Sequence, residues 1–453
     1  MTLAERLSEF ATRLEFDDIP TEVVASVRLR ALDILGIALA SSASELAPSV
    51  LGAVQGWGGG ACSVVGSRLT TSPPLAALAN GALAHGLDFD DTHAISITHA
   101  SSVILPTVLA LGEAGGHSGR TVVTAAVAGY EAMTRVGMAA PGEFHARGWH
   151  ATAVCGTFGA TVAAGRLDAL DHDRLTAALG IAGSFASGVS EHLQDGSWVK
   201  RVHPGWAAHS GIVAAGLARG GFSGPATIFE GRFGLYRTFL RSEHDATPFD
   251  TLGKEWETLR VGFKPYPCCH YNHAYLDCVL ALRREHEIEP DSIEGIECLV
   301  PAGEVPIVCE PRENKLRPRN RYDAQFSLAY SVAAALVDGR VGLDTYAEDR
   351  IRDERTLALA ARVRHTVDPA SRFPDGFPGW VRVRLRDGRL LEAREPDGRG
   401  GAARPLEPEA IVAKFRNNAR RALEANRVAA VEKAALSLDS LGNVQTLLAA
   451  CRA

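Results

Sequence analysis

The sequence lacks the features that mark secreted, membrane-spanning and nucleic-acid-binding proteins. Its first residues, Met1 to Arg6, do not have the basic-then-apolar order of a signal peptide. The best candidate for a membrane span, Val23 to Ala40, is interrupted by Arg28, Arg30 and Asp33, which indicates an amphipathic core helix. The net charge of -6 gives no basic excess, so we predict neither nucleic acid nor a membrane as a partner.

Cysteine is also scarce, and internal repeats are absent from the sequence. The 8 cysteines among 453 residues are irregularly spaced, which predicts free thiols in a reducing cytoplasm. No self-similar period of roughly 20–50 residues and no low-complexity tract is found. A hydrophobic content of 46% over this length predicts a folded protein with two domains.

Helical patterns dominate both ends of the chain. After the helix near Val23, the residues up to about 245 predict further helices at Pro74–Gly86, Ser102–Glu113, Thr121–Met138, Thr152–Gly165, Arg174–Ser187 and Ala207–Arg219. The pattern is helical again from Glu407 to the end. Because the termini of a domain often lie close together, we expect both ends to form one domain.

The segment between these ends mixes strands and helices. Strands are predicted at Ser292–Val300, Ala361–Val367, Trp380–Leu385 and Arg389–Arg394, with helices at Ala274–Glu285 and Ala324–Val337. Asp387-Gly388 predicts a type I′ hairpin turn between the last two strands. The predicted fold is therefore mostly α: a large all-helical domain of residues 1–255 and 408–453, with a smaller α+β lid domain of residues 256–407.

Three segments carry residues suited to chemistry, and the first is acidic. Asp88, Asp90 and Asp91 follow a predicted helix, and Thr92, His93 and His99 come after them. One interpretation is a capping cluster for the helix that starts near Ser101, because Asp and Ser stabilise helix N-termini. Another is a metal site, since Asp and His bind divalent ions, although the spacing gives that option little support.

The second segment is basic. Lys200, Arg201 and His203 are predicted to lie in a loop just before a helix N-terminus, where cationic side chains and backbone N–H groups can bind carboxylate or phosphate. The alternative is a solvated basic loop. Trp198 and Trp206 flank the charges, and two large apolar rings favour a partly buried loop.

The third segment, Lys264 to His273, begins with a lysine on an arm stiffened by Pro265 and Pro267. A surface lysine beside a proline-rich turn is the alternative. Cys268, Cys269, His270 and His273 raise the option of zinc, but adjacent cysteines are poorly placed for two tetrahedral corners, and no distant partner motif completes a set. Buried, inert cysteines are the simpler interpretation.

Together these segments resemble the MmgE/PrpD family, which includes 2-methylcitrate dehydratase, cis-aconitate decarboxylase and iminodisuccinate epimerase. The resemblance rests on His85-Gly86-Leu87-Asp88-Phe89-Asp90-Asp91-Thr92, on Lys200-Arg201-Val202-His203-Pro204-Gly205-Trp206 and on Lys264-Pro265-Tyr266-Pro267-Cys268. It implies the helical domain and α+β lid described above, a site between them, and commonly a homodimer. One departure is Ala100, where members of the family often have proline after the histidine.

The resemblance also implies an active site without metal or organic cofactor. It assigns catalytic roles to Asp88, His99, Lys200 and Lys264. It implies substrate-binding roles for Thr92, His150, His203 and Tyr330. The implied substrate is a small di- or tricarboxylate, from which a proton is removed next to a carboxylate.

We expect a lyase, with dehydration of the 2-methylcitrate type placed first. The alternatives are decarboxylation of the cis-aconitate type and epimerisation of the iminodisuccinate type. Removal of the proton creates an enediolate-like dianion, which the two lysines would stabilise, while His99 is the expected general acid or base. A non-catalytic polycarboxylate-binding protein on the same fold is the alternative outside enzymes.

Overall fold

Helices form most of the molecule, as the sequence predicts. In the computed structural model, which describes residues 1–373 and 376–453, the first part of the chain is a series of helices. Their bounds are α1 Leu3–Arg13, α2 Thr21–Ser42, α3 Ala47–Trp57, α4 Pro73–His85, α5 Ser101–Gly115, α6 Gly119–Met138, α7 Glu143–Ala146, α8 Ala151–Leu167, α9 His172–Ala182, α10 His192–Asp195 and α11 Val199–Arg219. No described helix combines the length and apolar character needed to cross a membrane.

Small residues let the central helices pack backbone against backbone. A Cβ atom added to Gly81 in α4 would lie 2.6 Å from the Cα atom of Gly205 in α11. One added to Gly205 would lie 2.1 Å from the carbonyl oxygen of Leu78. Glycine at both positions therefore permits an approach that any larger residue would prevent, and this contact brings the start of α11 close to the end of α4.

The middle of the chain folds around a four-stranded sheet. Its helices are α12 His273–His286, α13 Val305–Val308, α14 Arg312–Leu316, α15 Arg321–Gln325, α16 Leu328–Asp338 and α17 Glu354–Ala360. Its strands are β5 Ile293–Val300, β6 Val363–Val367, β7 Gly379–Leu385 and β8 Leu390–Glu395. The order in the sheet is β6-β5-β7-β8, with β5 and β6 parallel and the other neighbours antiparallel.

Two further pairs of short strands lie outside this sheet. They are β1 Cys62–Ser63 with β2 Thr70–Thr71, and β3 Asp91–His93 with β4 Val261–Phe263. The second pair joins the acidic segment to the chain just before Lys264, since Asp91 pairs with Phe263 and His93 with Val261.

The C-terminal segment returns to the first helices. It forms α18 Pro408–Ala419, α19 Ala425–Leu436 and α20 Gln445–Ala450, and α18 packs against α2. Lys414 in α18 donates to Asp33 Oδ2 at 2.9 Å and to the carbonyl oxygen of Phe89 at 2.7 Å. One buried hydrophobic cluster takes its residues from Leu3 to Val261 and from Phe415 to Cys451, and another takes them from Tyr266 to Leu391. The division into domains at residues 255 and 408 stays a prediction.

Two local predictions are wrong. Lys200, Arg201 and His203 do not lie in a loop, because α11 begins at Val199 and continues through Pro204. The hairpin between β7 and β8 is present, but only Gly388 of the predicted turn pair has a positive φ, +91°. The amide of Leu385 donates to the carbonyl oxygen of Arg389, and the amide of Gly388 donates to that of Leu385, so three residues, 386–388, connect this pair and the turn is not type I′.

Candidate active site

Asp88 lies at the centre of the candidate site, between two lysines. Lys200 Nζ is 2.6 Å from Asp88 Oδ1, and Lys264 Nζ is 3.3 Å from the same oxygen. Lys264 also donates to the backbone carbonyl oxygen of Asp88 at 3.0 Å. All three side chains are buried. The structure therefore gathers three of the residues to which the sequence assigns catalysis.

Asp88 and the two lysines stabilise each other's charged forms. Burial opposes ionisation of Asp88, but Lys200 and then Lys264 outweigh it and hold the pKa of that carboxyl well below its usual range. Burial likewise lowers the pKa of Lys264, but Asp88 and Asp90 reverse the effect and raise it. Asp88 has a φ of +52°, in the left-handed region that is uncommon outside glycine.

The other two aspartates of the segment have different partners. Asp90 Oδ2 accepts a hydrogen bond of 2.7 Å from His85 Nδ1. Asp91 forms an ion pair with Arg30 at 3.2 Å and accepts from the backbone amide of Ser101 at 3.1 Å, at the start of α5. The capping interpretation is therefore correct for Asp91, while Asp88 belongs to the lysine pair.

The chain turns back after β3, so that His99 lies next to this strand. Thr98 pairs with His93, and Ile97 in the turn between them has a φ of +51°, a strained value for a β-branched residue. His99 Nδ1 lies 2.6 Å from the carbonyl oxygen of Asp91 and 3.3 Å from Thr92 Oγ1. Because a carbonyl oxygen only accepts, Nδ1 carries the hydrogen, and the Nε2 lone pair of the neutral ring is available as a base.

Further imidazoles surround His99. The ring centroids of His85 and His150 lie 4.9 Å and 6.0 Å from that of His99. His150 Nδ1 is 3.0 Å from Nδ1 of His203, so one of these rings donates to the other. Burial, followed by the charge of Lys264, holds the pKa of His99 well below its ordinary value, and burial and His203 do the same for His150.

A metal ion is the other possible occupant of these imidazoles. Ligand atoms of His85, His99 and His150 lie within 4.8 Å of one another, as do those of His85, Asp88 and Asp90. However, Lys200 and Lys264 lie in the same cluster, and Lys264 and Lys200 both lower the pKa of His99. Burial is the largest cause of that lowering and Asp90 opposes it, but the charges of the two lysines would also repel a dication held by these imidazoles.

The predicted zinc ligands near Lys264 have other surroundings. His273 Nε2 donates to the carbonyl oxygen of Cys268 at 3.2 Å, and the ring of His270 packs edge-on against Phe377. All eight cysteines are free and buried. In the described part of the chain, this segment does not contribute to either group of potential metal ligands.

Tyr330 is a predicted site residue whose hydroxyl is bonded within the middle segment. It donates to the carbonyl oxygen of Thr345 at 2.7 Å, within the hydrophobic cluster of that segment. The predicted helix from Ala324 to Val337 is broken, because Ser327 caps a new helix, α16. The substrate-binding role of Tyr330 stays a prediction.

Tyr322 is a site residue that the sequence prediction missed. Its hydroxyl is buried and has no hydrogen-bond partner among the described residues. Burial raises the pKa of this hydroxyl, Asp88 raises it further and Arg201 opposes the rise, so the group lies within the field of the site. Its ring is 5.9 Å from that of His192. The sequence signal that could have indicated Tyr322 is Asn320, whose side chain caps the short helix α15 two residues before it.

This arrangement combines fixed positive charge with neutral imidazoles. The lysines can bind carboxylates, and His99 can accept a proton or, once protonated, donate one. Trp198 and Trp206, which suggested burial of the basic segment, are 40% and 43% exposed, although Lys200, Arg201 and His203 beside them are buried. The site thus favours a small, multiply charged anion.

Comparison with known proteins gives two matches to family models and several to individual proteins. Residues 5–247 match the MmgE/PrpD N-terminal domain and residues 266–440 the MmgE/PrpD C-terminal domain. A cis-aconitate decarboxylase of Aspergillus terreus is 29% identical over 98% of this chain and 94% of its own length. The human cis-aconitate decarboxylase is 28% identical over 83% and 78%, and that of Mus musculus 26% over 96% and 90%.

Proposed function

Since this chain belongs to the MmgE/PrpD family, we propose that it is a lyase that removes CO₂ from a small tricarboxylate of the cis-aconitate type. The observation that carries the proposal is the convergence of Lys200 and Lys264 on Asp88 beside His99. The names of the relatives support decarboxylation, which moves ahead of the dehydration that the sequence placed first.

The buried lysines of the site fit a polyanion. Lys200 and Lys264 lie with the carboxylates of Asp88 and Asp90 in a buried setting, where Coulomb interactions are stronger than in water, so both ammonium groups can bind substrate carboxylates there. A bound substrate carboxylate would take the position facing the lysines, with Thr92 donating a hydrogen bond to it. His150, His203 and Tyr322 would line the remainder of the site.

The proposed reaction consumes one proton. The C–C bond to the departing carboxylate breaks, and its electron pair forms a new C=C bond with the neighbouring carbon. The electrons of the original double bond move to the carbon beside a remaining carboxylate, and the resulting enediolate-like charge is stabilised by Lys200 and Lys264. His99 then protonates that carbon. The bound polyanion would raise the pKa of His99 and so favour the protonated ring in the complex.

Dehydration is the second candidate, because the low pKa of His99 in the free site leaves the ring ready to accept a proton. In that reaction His99 would remove the proton next to a carboxylate, and a β-hydroxyl would leave. A non-catalytic binder needs the two lysines but has no use for the oriented imidazole of His99. One site can support more than one of these outcomes, so the product must be measured.

The test is incubation of the protein in D₂O with cis-aconitate and, separately, with citrate and 2-methylcitrate, followed by NMR. Decarboxylation is expected to give a C5 dicarboxylate with one deuterium on its saturated methylene. Water loss from a hydroxy acid would establish dehydration instead. Exchange of an α-proton without another change would indicate an epimerase, and no change in any substrate would favour the binder.

A variant at His99 tests the proton-transfer role in the same assay. His99→Gln is expected to lower kcat by about 10²- to 10⁴-fold, the usual contribution of a general acid or base. His172→Gln, which changes an exposed histidine in α9, is the matched control and should retain full activity. Normal turnover by His99→Gln would reject the assignment of His99.

Metal removal gives an independent prediction. Because the site opposes added positive charge, activity should be unchanged after exhaustive treatment with EDTA and 1,10-phenanthroline. Metal content would be measured on the same samples to show that the treatment was complete. Loss of activity that a particular divalent ion restores would place a metal at the His85, His99 and His150 group.

A further inference from the structure

Arg201 is a buried cation that the proposed reaction does not use. Its side chain is 4% exposed, and its Nη2 atom has no hydrogen-bond partner among the described residues. The carboxylate paired with it is Glu45, at 3.7 Å from Nη1, which is beyond hydrogen-bond distance. Burial lowers the pKa of Arg201, although Glu45 opposes that effect.

Other buried arginines in this protein are better satisfied. Both terminal nitrogens of Arg30 are bonded, to Asp91 and to the backbone carbonyl oxygens of Thr258 and Val261. Those of Arg135 bond to Glu131 and to the carbonyl oxygen of Glu255. A buried charge without hydrogen bonds is costly, so Arg201 is in a state that a bound anion would relieve.

Glu45 connects Arg201 to an open cavity. Its other oxygen is 3.6 Å from Nη1 of Arg321, and its side chain is 43% exposed. Glu45 and Arg321 line a cavity of about 370 Å³ together with Leu87, the neighbour of Asp88. The carboxylate of Glu45 therefore lies between two guanidinium groups, beyond hydrogen-bond distance of the nitrogens paired with it, at the wall of this cavity.

Arg201 and Lys200 are consecutive in α11 and so point in directions about 100° apart. They are therefore suited to different carboxylates of one ligand. Tyr322, whose hydroxyl also has no partner among the described residues, lies close enough to Arg201 for the arginine to lower its pKa.

We propose that Arg201 binds a further carboxylate of the substrate, and that Glu45 is the resident carboxylate which the substrate displaces. This assignment rests on the proposed polycarboxylate substrate and makes Arg201 the residue that selects a tricarboxylate over a dicarboxylate. A planar guanidinium with two free N–H groups matches a carboxylate in a bidentate geometry.

The experiment measures binding of two unreactive ligands, tricarballylate and glutarate, by calorimetry. Glutarate is tricarballylate without its central carboxylate, so the ratio of their dissociation constants reports the additional carboxylate. The protein should bind tricarballylate about 10- to 100-fold more tightly than glutarate. In Arg201→Met this ratio should fall to nearly 1.

Arg421→Met is the matched control, because Arg421 lines the same cavity but is paired with Asp344 at 2.7 Å. It should leave the ratio unchanged. Glu45→Gln removes the resident carboxylate and should tighten tricarballylate binding several-fold. Weaker binding by Glu45→Gln would mean that Glu45 only holds Arg201 in place, and would overturn the displacement.

Thermal unfolding without ligand separates a binding role from a structural one. Arg201→Met removes an unsatisfied buried charge, so its Tm should rise by a few degrees. An unchanged ligand ratio, or a wild-type protein with no preference for tricarballylate, would overturn the proposal. If Arg201→Met does not fold, Arg201→Gln gives the same comparison. Because both ligands are unreactive, a protein that shows the predicted ratio but no turnover would retain this subsite and lose the proposed function.

Discussion

Lys264→Met is expected to lower kcat at least about 10²-fold on whichever substrate the NMR assay identifies. Lys264 donates to the backbone of Asp88 and lies 3.3 Å from its carboxylate, so it holds the centre of the site in place and supplies half of the paired positive charge. That charge is most important when the enediolate forms. The effect should therefore be larger on kcat than on KM.

A second buried lysine provides the control. Lys315 in the middle segment donates to the carbonyl oxygens of Ile307 and Phe326 and has no contact with Asp88. Lys315→Met should lower thermal stability but leave kcat of the folded protein within about two-fold. Full turnover by Lys264→Met would reject its role as a charge stabiliser.

The two lysines should not behave independently. Both contact the same oxygen of Asp88, so Lys200→Met is expected to cost about as much as Lys264→Met, and the double variant much less than the product of the two effects. Additive losses would indicate that each lysine stabilises a separate group of the substrate.

The acidic segment illustrates how far the sequence determines this site. Asx-rich loops are usually turns or caps, and Asp91 is a cap. Asp88, three positions earlier, pairs with lysines that are 112 and 176 residues away along the chain. Residue propensities and spacing can predict the capping role of Asp91. The pairing of Asp88 with the two lysines depends on how α4, α11 and β4 pack, and only resemblance to a family could indicate it from the sequence.

Ala100 is the position where the sequence departs from the family pattern next to His99, and its backbone conformation shows whether a proline would fit there. Members of the family often have proline there, and Ala100 adopts a φ of -74°, close to the value that proline imposes. The backbone at this position therefore has a φ that a proline would also adopt. His99 keeps its bond to the carbonyl oxygen of Asp91.

The helix boundaries explain why two other predictions failed. Pro204 and the glycine that follows it suggested a loop, but α11 starts five residues before Pro204 and continues through it. Proline removes one backbone donor inside the helix, and packing of α11 against α4 and α8 holds the helix there. In the middle segment, an apolar stretch predicted one helix, whereas the side chain of Ser327 accepts from the amide of Tyr330 and starts a new one. The break places Tyr330 in α16, with its hydroxyl bonded to Thr345, and Tyr322 in the separate short helix α15.

Acid is expected to unfold this protein well before most carboxylates are protonated. Eight histidines have a pKa lowered mainly by burial: His99, His145, His150, His192, His203, His209, His270 and His273. The pKa is about 4 for His145 and His192 and about 3 for His203 and His270. The unfolded chain, with a histidine pKa near 6.5, therefore binds more protons than the native state as the pH falls below that value.

The sign of the effect follows from this difference. Stability falls as the pH drops from about 6.5 towards 4, by up to roughly 2 kcal/mol for each neutral histidine at pH 5. Burial raises the pKa of Asp33 to about 6, that of Glu304 well above its usual value, and those of Asp91 and Asp168 as well, and these four groups act in the opposite direction. The histidines outnumber these opposing groups, so stability is lost on balance between pH 7 and pH 5.

Urea unfolding at pH 7, 6 and 5 measures this loss as a fall in the midpoint. His192→Phe should reduce the pH dependence by the share of one histidine, whatever its effect on stability at pH 7. His172→Gln, an exposed site, should leave the pH dependence unchanged. A midpoint independent of pH over this range would show that the imidazoles around the lysines take up protons in the native state. The positive field on which the proposed anion site depends would then be much weaker than the geometry of Lys200 and Lys264 implies.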